Sequence, residues 1–349
     1  MWLVTLLVLI IILGIIILVH EVGHFIWAKK FGVFIYEFSL GMGPVIFTHK
    51  GKDGIPYNIR AFPIGGFVSM AGEVYEDDDK TPKEKFMCNK PWHQRLIILV
   101  AGVMNNFILA IVILFFMALF MGSTTTKPIV GTILEGSAIE KSGIEVGDEI
   151  VEINGIKSSS WDKLQIALYR KSNTDSYEFK VKKVDGSEET YQVIPNKIQN
   201  EDGTETMQFG FGVDTTKYYG IFSSIKYAFC KFGSIVSSMM LTITSLFTGK
   251  ISLSALSGPV GIYGVVGDSI SVGISQLVYI TAFLSINVGF INILPFPAFD
   301  GGRVLFMIIE KIKGSPVNAK LENAFHTVGF ILLMILMIYI TFQDILKLF

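Results

Sequence analysis

The chain has 349 residues, a formal net charge of −1, 51% apolar residues and only 17% charged ones. Soluble chains average roughly 25% charged residues, and a mean hydropathy of +0.53 points away from an ordinary soluble globule. The balanced charge excludes the basic surface that nucleic acid requires. Two cysteines, Cys88 and Cys230, exclude a disulfide framework, and the apolar content excludes disorder. The composition reads as a polytopic α-helical membrane protein.

About 20 apolar residues cross a bilayer, so uncharged runs of that length mark the spans. Trp2 to Val19 is the first. It lacks a basic leader segment and a small-residue cleavage site, so it reads as a span, not as a signal peptide. Leu96 to Ser123 is the second and carries Asn105 and Asn106, for which interhelical hydrogen bonding is the simplest role. A small α+β domain follows. Pro128 to Ile133 alternates like a strand, Ser137 to Ser142 reads as a short helix closed by Gly143, and Trp161 to Arg170 has helical periodicity. Phe232 to Gly249 is uncharged but holds seven Ser/Thr residues, which suits an interfacial helix better than a span. The third span lies between Asp268 and Asp300, and the fourth is Thr327 to Gln343. The expected divisions are therefore 1–123, 124–216, 217–268 and 269–349.

Lysines cluster in the 29–95 and 299–325 loops, whereas the N-terminus carries none. The positive-inside rule makes those loops cytoplasmic and puts both termini and the 124–268 segment outside. Asp77, Asp78 and Asp79 form a lone acidic run, expected as a solvated loop. No internal repeat is visible, which counts against a transporter built from broken-helix repeats.

The sharpest chemical signal is His20-Glu21-Val22-Gly23-His24, an HExxH. Positions i and i+4 share a helix face, so both imidazoles can hold one metal ion. The glutamate between them lies beside that face and can take a proton from a water the metal activates. The bland alternative is two interfacial histidines at a helix end. Catalytic zinc usually takes three protein ligands, and the candidate third is Asp300, in Asn292-Ile-Leu-Pro-Phe-Pro-Ala-Phe-Asp-Gly-Gly302. The first span carries His20 about 28 Å inward. The third runs the same way, because one hairpin separates them, and so brings Asp300 to the same level. Pro295 and Pro297 break that helix and free backbone to line an enclosed cavity. An aspartate capping the next helix is the local alternative. His49, His93 and His326 have no metal-ligand partner in register and read as incidental.

These residues resemble the site-2 proteases, and most closely their bacterial RseP-type intramembrane zinc metalloproteases, here with one PDZ-like domain. Pro63 to Val68, Pro91-Trp-His-Gln-Arg95, Ala101-Gly102 with Asn106-Phe107, and Ser257 to Ile262 extend the likeness over nearly the whole chain. The resemblance implies one zinc ion on His20, His24 and Asp300, with Glu21 as general acid and base. Asn292, Pro295 and Pro297 would shape the site. Gly41, Gly43, Gly65 and Gly66 would belong to a membrane-associated β element that pairs with an unwound substrate, or else serve simply as turn residues. In the outer domain Phe209-Gly-Phe-Gly-Val213 resembles a PDZ carboxylate-binding loop, with Gly210, Phe211 and Gly212 at the groove. The alternative there is a size filter that binds no terminus.

Implied partners are the bilayer of a bacterial cell membrane and single-span proteins already trimmed outside, such as anti-sigma factors or remnant signal peptides. The chain itself is expected to be monomeric. The competing reading from another class is an inert PDZ scaffold for exported C-termini.

Overall fold

The computed structural model describes residues 2–73, 81–170, 175–199, 205–315 and 317–347, and the acidic run at 77–79 lies outside them. The first helix, α1 (Trp2–Lys30), continues past the expected span and through the HExxH to the paired lysines, which suit the negative end of its dipole. Two long strands follow, β1 (Ile35–Lys50) and β2 (Pro56–Met70), and then α2 (Trp92–Met121). The small domain contains β3 (Val130–Ile133), α3 (Ala138–Ser142), β4 (Glu149–Ile153), β5 (Ile156–Lys157) and α4 (Trp161–Tyr169). It continues with β6 (Tyr177–Lys182), β7 (Glu188–Val193), β8 (Asn196–Gln199), β9 (Glu205–Gln208) and β10 (Phe211–Val213). Five helices complete the chain: α5 (Ile221–Phe247), α6 (Pro259–Val272), α7 (Ile274–Ile293), α8 (Asp300–Lys313) and α9 (Ala319–Leu346).

Contacts divide the chain into two units, Met1–Ala110 with Ser257–Phe349, and Ile111–Leu256. In the first unit, buried residues recur along one stripe of α1 at Thr5, Ile12, Ile16, His20, His24 and Ala28. Ile12 and Ile16 meet Ile280 and Leu284 of α7. Asn105 Nδ2 donates to Val19 O at 3.1 Å, and His24 Nδ1 lies 2.8 Å from Ile98 O, so α1 and α2 are antiparallel. Ser285 Oγ donates to Asn106 O, while Gly289 lies against Phe107 and Val103, so α7 is antiparallel to α2. It follows that α1 and α7 run the same way.

The β1–β2 hairpin folds back on itself. Phe38, Ser39 and Leu40 pair with Val68, Phe67 and Gly66 on one side, and with Tyr57, Asn58 and Ile59 on the other. Ser39 is consequently fully buried. Arg60 ties this ribbon together, donating to Glu37 Oε1 at 2.6 Å, Ser39 Oγ at 3.1 Å and Gly43 O at 2.7 Å. Phe38, Val68 and Met70 pack with Ala28, Ile98 and Met307. At the start of α6, Pro259 supplies no N–H, and the buried Asp344 of α9 accepts from Gly258 N and Gly261 N at 2.8 Å each.

The second unit is broader than the expected 124–216, because it includes the end of α2 and all of α5. Its core is apolar and continuous: Val130, Ile139, Ile150, Ile153, Leu164, Tyr177, Phe179, Val181 and Val193. Full burial of a side chain such as Phe179 contributes about 1.5–3 kcal/mol. β5, β4, β6 and β7 form an antiparallel sheet in that order, and β10 pairs with β3. Ser137 and Ser160 cap α3 and α4 by accepting from Glu140 N and Lys163 N. The helix expected over 232–249 begins earlier, at Ile221, and contains Lys226 and Lys231. Lys231 Nζ donates to Asp162 Oδ1 of α4 at 2.7 Å, and Ser234 Oγ donates to Asp162 Oδ2. Among the described residues five helices, α1, α2, α5, α7 and α9, are long and apolar enough to cross a membrane, against four expected spans.

Candidate metal centre

The HExxH lies on uninterrupted helix, and its spacing does what helical geometry requires. His20 and His24 share one buried face, with their Nε2 atoms 3.2 Å apart. The first residue of α8 completes the group, since Asp300 Oδ2 lies 3.1 Å from His20 Nε2 and 3.4 Å from His24 Nε2. Among the described residues these three form the one cluster of His, Cys, Asp and Glu side chains placed to hold a metal. Asp300 is the first residue of its helix and not its cap, since the N-cap place is taken by Phe299.

The protonation pattern suits a cation. His24 Nδ1 donates to Ile98 O, which leaves the lone pair on Nε2 facing the cluster. Asp300 Oδ2 is buried and meets no hydrogen-bond donor, a cost that a positive ion would remove. Two ligands each about 2.0–2.1 Å from one tetrahedral ion stand roughly 3.3 Å apart. The observed separations of 3.1, 3.2 and 3.4 Å match that edge. Two imidazoles and a carboxylate are a donor set that zinc accepts. Behind them, the Asn106 carboxamide on α2, fully buried, lies 3.3 Å from His20 Nδ1.

Absent side chains allow this approach. A Cβ on Gly23 would stand 2.5 Å from Ala101 O, and one on Gly102 would stand 2.5 Å from His24 Nε2. Glu21 is part-buried, one position round the helix from His20. Next to it runs the last stretch of β2, where a Cβ on Gly66 would lie 3.7 Å from Glu21 Cγ and 3.4 Å from Ile17 Cγ2. Of the four glycines expected in the β element, Gly66 therefore adjoins Glu21, whereas Gly65, at positive φ, lies against the Met42 side chain. Gly41 and Gly43 sit at the fold-back of β1, both at positive φ and both close against Phe62.

Asn292 lies half-buried in the last turn of α7, which ends at Ile293 with Leu294 as its C-cap, ahead of Pro295 and Pro297. The loop to Asp300 passes through Ala298, whose φ of +74° is unusual for a residue with a side chain. Ala298 N donates to His326 Nδ1 of α9 at 3.0 Å. His326 is thus not incidental, as its lack of a metal-ligand partner suggested; its partner is backbone, which no spacing rule reveals. His49 and His93 are exposed. In the second unit, Gly210 turns the chain at positive φ and its carbonyl accepts from Leu134 N. Phe211 then enters β10 and packs edge-to-face on Trp161 at 5.6 Å, and Gly212 pairs with Thr132. Among the described residues β10 pairs with β3 alone, so its other edge is open.

The sequence model of peptidase family M50 matches residues 8–336 of this chain. The zinc metalloprotease RasP of Shouchella clausii is 32% identical over 99% of both chains. The regulator of sigma-W protease RasP of Bacillus subtilis and the zinc metalloprotease RasP of Bacillus licheniformis are each 30% identical, again over 99% of both.

Proposed function

This chain belongs to peptidase family M50, the site-2 proteases, and is a multi-pass membrane zinc metalloprotease; from that premise we propose that His20, His24 and Asp300 hold its one zinc ion and that Glu21 carries the proton. The observation that carries the assignment is the trio of ligand separations near 3.3 Å around a carboxylate oxygen that meets no donor. A zinc ion held there supplies Lewis-acid chemistry, activating water and polarising the scissile carbonyl. Glu21 takes the proton of the attacking water and returns it to the leaving amine. Buried His24 keeps its orientation through Ile98 O, so the ligand face does not turn away between turnovers.

A peptide bond inside a helix is hydrogen-bonded and shielded, so the substrate must be extended before it is cut. The 66–70 stretch of β2 pairs with β1 on one side and passes Glu21 at Gly66. Strand addition there draws the substrate backbone out beside the proton carrier. Gly65 and Gly66 leave room for that backbone, Gly41 and Gly43 shape the ribbon behind it, and Asn292, Pro295 and Pro297 form the opposing wall.

The same geometry supports four spans. α1 and α7 run parallel and end at one metal cluster, which requires an odd number of crossings between them. α2 supplies one, and α6, with 14 residues, is too short to supply another. α5 then lies along the membrane surface, which suits its polar Ser/Thr content and its lysines. Both termini and the PDZ-like domain are extracytoplasmic, with the site near the cytoplasmic side. The open edge of β10 at Gly210, Phe211 and Gly212 suits a chain terminus, and the domain also excludes substrates with bulky outer segments. Substrates are pre-trimmed single-span proteins of the anti-sigma or remnant-signal-peptide kind, and the enzyme acts as a monomer.

The test is cleavage of a tagged single-span substrate lacking its outer domain, with metal content measured in parallel. Wild type should cut it, Glu21→Gln should keep zinc but not cut, and Asp300→Ala should lose affinity for zinc. Wild-type zinc affinity in Asp300→Ala would remove Asp300 from the ligand set.

A further inference from the structure

We propose that α9 sets the position of Asp300, with His326 and Gly329 acting as positioning residues for the third metal ligand; the inference rests on the reading of Asp300 as that ligand. Asp300 does not position itself as a helix cap, because it is the first residue of α8 and Phe299 holds the N-cap place, and its buried Oδ2 has no hydrogen-bond partner. Its place is dictated by the backbone on either side, and α9 holds both sides.

Before Asp300, Ala298 is held at φ +74°, a left-handed conformation that a residue with a Cβ adopts only when its surroundings impose it. Two contacts from α9 impose it. The Ala298 N–H donates to His326 Nδ1 at 3.0 Å, and Pro297 is seated on Gly329, where any Cβ would overlap the proline ring. His326 and Gly329 are three residues apart, hence neighbours on one helix face. After Asp300, a Cβ on Gly302 would stand 3.2 Å from His326 Cε1, and the Phe306 ring lies 5.8 Å from the imidazole. One imidazole therefore braces the loop that enters α8 and the first turns of α8 itself.

The hydrogen-bond inventory of His326 points the same way. Accepting at Nδ1 places its proton on Nε2, which is buried and has no partner. An apolar side chain would avoid that unpaired donor, so the bond to Ala298 is what a histidine contributes here. Metal sites tolerate ligand displacements of only about 0.2 Å, so releasing the loop is felt at Asp300.

The experiment measures zinc affinity of the full-length protein in detergent by competition with a chelator, alongside thermal unfolding without metal. His326→Leu keeps the bulk and removes the acceptor, and it should weaken zinc binding by roughly 10- to 100-fold, as loss of an outer-shell partner does. His326→Asn offers an oxygen near the place of Nδ1 and should restore wild-type affinity. Gly329→Ala should weaken binding as His326→Leu does. If His326→Leu and Gly329→Ala hold zinc like wild type while Asp300→Ala loses it, the positioning role is wrong and the metal site stands. Equal losses in His326→Leu and His326→Asn would also overturn the proposal, because packing would then account for the histidine. If wild type and Asp300→Ala bind zinc alike, it is the ligand assignment that fails.

Discussion

Gly102 offers the most exacting test of how closely α2 presses on the metal cluster. An alanine there would put its methyl 2.5 Å from His24 Nε2 and 2.8 Å from His20 Cε1, where ordinary contact begins at 3.4 Å. Relief requires the His24 ring to retreat by about 0.9 Å, several times the roughly 0.2 Å a metal site absorbs. The helices cannot separate cheaply to make room, since Gly23 of α1 already lies against Ala101 O. We expect Gly102→Ala to weaken zinc binding at least ~100-fold, or about 2.8 kcal/mol at 1.4 kcal/mol per tenfold. Helix propensity cannot explain such a loss, because alanine is the better helix former by about 1 kcal/mol. The assay is zinc per chain after equilibration with chelator-buffered metal. Gly14→Ala in α1, which would meet nothing within 4 Å, is the control that should bind like wild type. Undiminished affinity in Gly102→Ala would mean that these imidazoles are not the ligands.

Two further outcomes follow from polar contacts away from the metal. Asp162 and Lys231 are 15% and 14% exposed in their side chains, and Ser234 also donates to the carboxylate. Asp162→Asn or Lys231→Met should each destabilise the packing of α4 on α5 by about 1–3 kcal/mol, with the double variant costing less than the sum. Additive losses in thermal unfolding would deny the coupling. In the hairpin turn, the Lys29 ammonium donates to Asp53 Oδ2 at 2.7 Å, with help from Ile55 N and Tyr57 Oη, and the carboxyl is held down at about 2. A depressed carboxyl stabilises above its ordinary value of 3.8, and that contribution fades as pH falls toward about 2. Amides of residues 51–55 should thus lose protection over that window, corrected for intrinsic exchange, and Asp53→Asn should abolish the dependence. An unchanged pH profile in Asp53→Asn would assign the protection to other contacts.

The meeting of His20, His24 and Asp300 was legible because it follows from helical spacing and span direction. An i, i+4 pair meets on any helix, and the level of Asp300 follows from counting crossings. What escaped depends on contacts between distant segments. Nothing near Gly102 says that it roofs two histidines, and nothing near His326 or Asp344 says which backbone each will hold. Neither residue has a side-chain motif, since their partners are N–H groups of Ala298, Gly258 and Gly261. The start of α5 was misplaced for a related reason. Lys231 ends the uncharged run, yet Asp162, 69 positions away, pairs with it and lets the helix extend back to Ile221. The small domain, in contrast, follows its strand alternation and serine caps closely.

The reach of α9 has a consequence in time. It is translated after every other element of its unit, yet two earlier segments depend on it: α6 for the cap from Asp344, and the loop before α8 for the acceptor on His326. A chain still emerging from the ribosome can hold both histidines of α1 and the aspartate of α8 without having either segment anchored. Anchoring of both segments is thereby tied to the synthesis of α9.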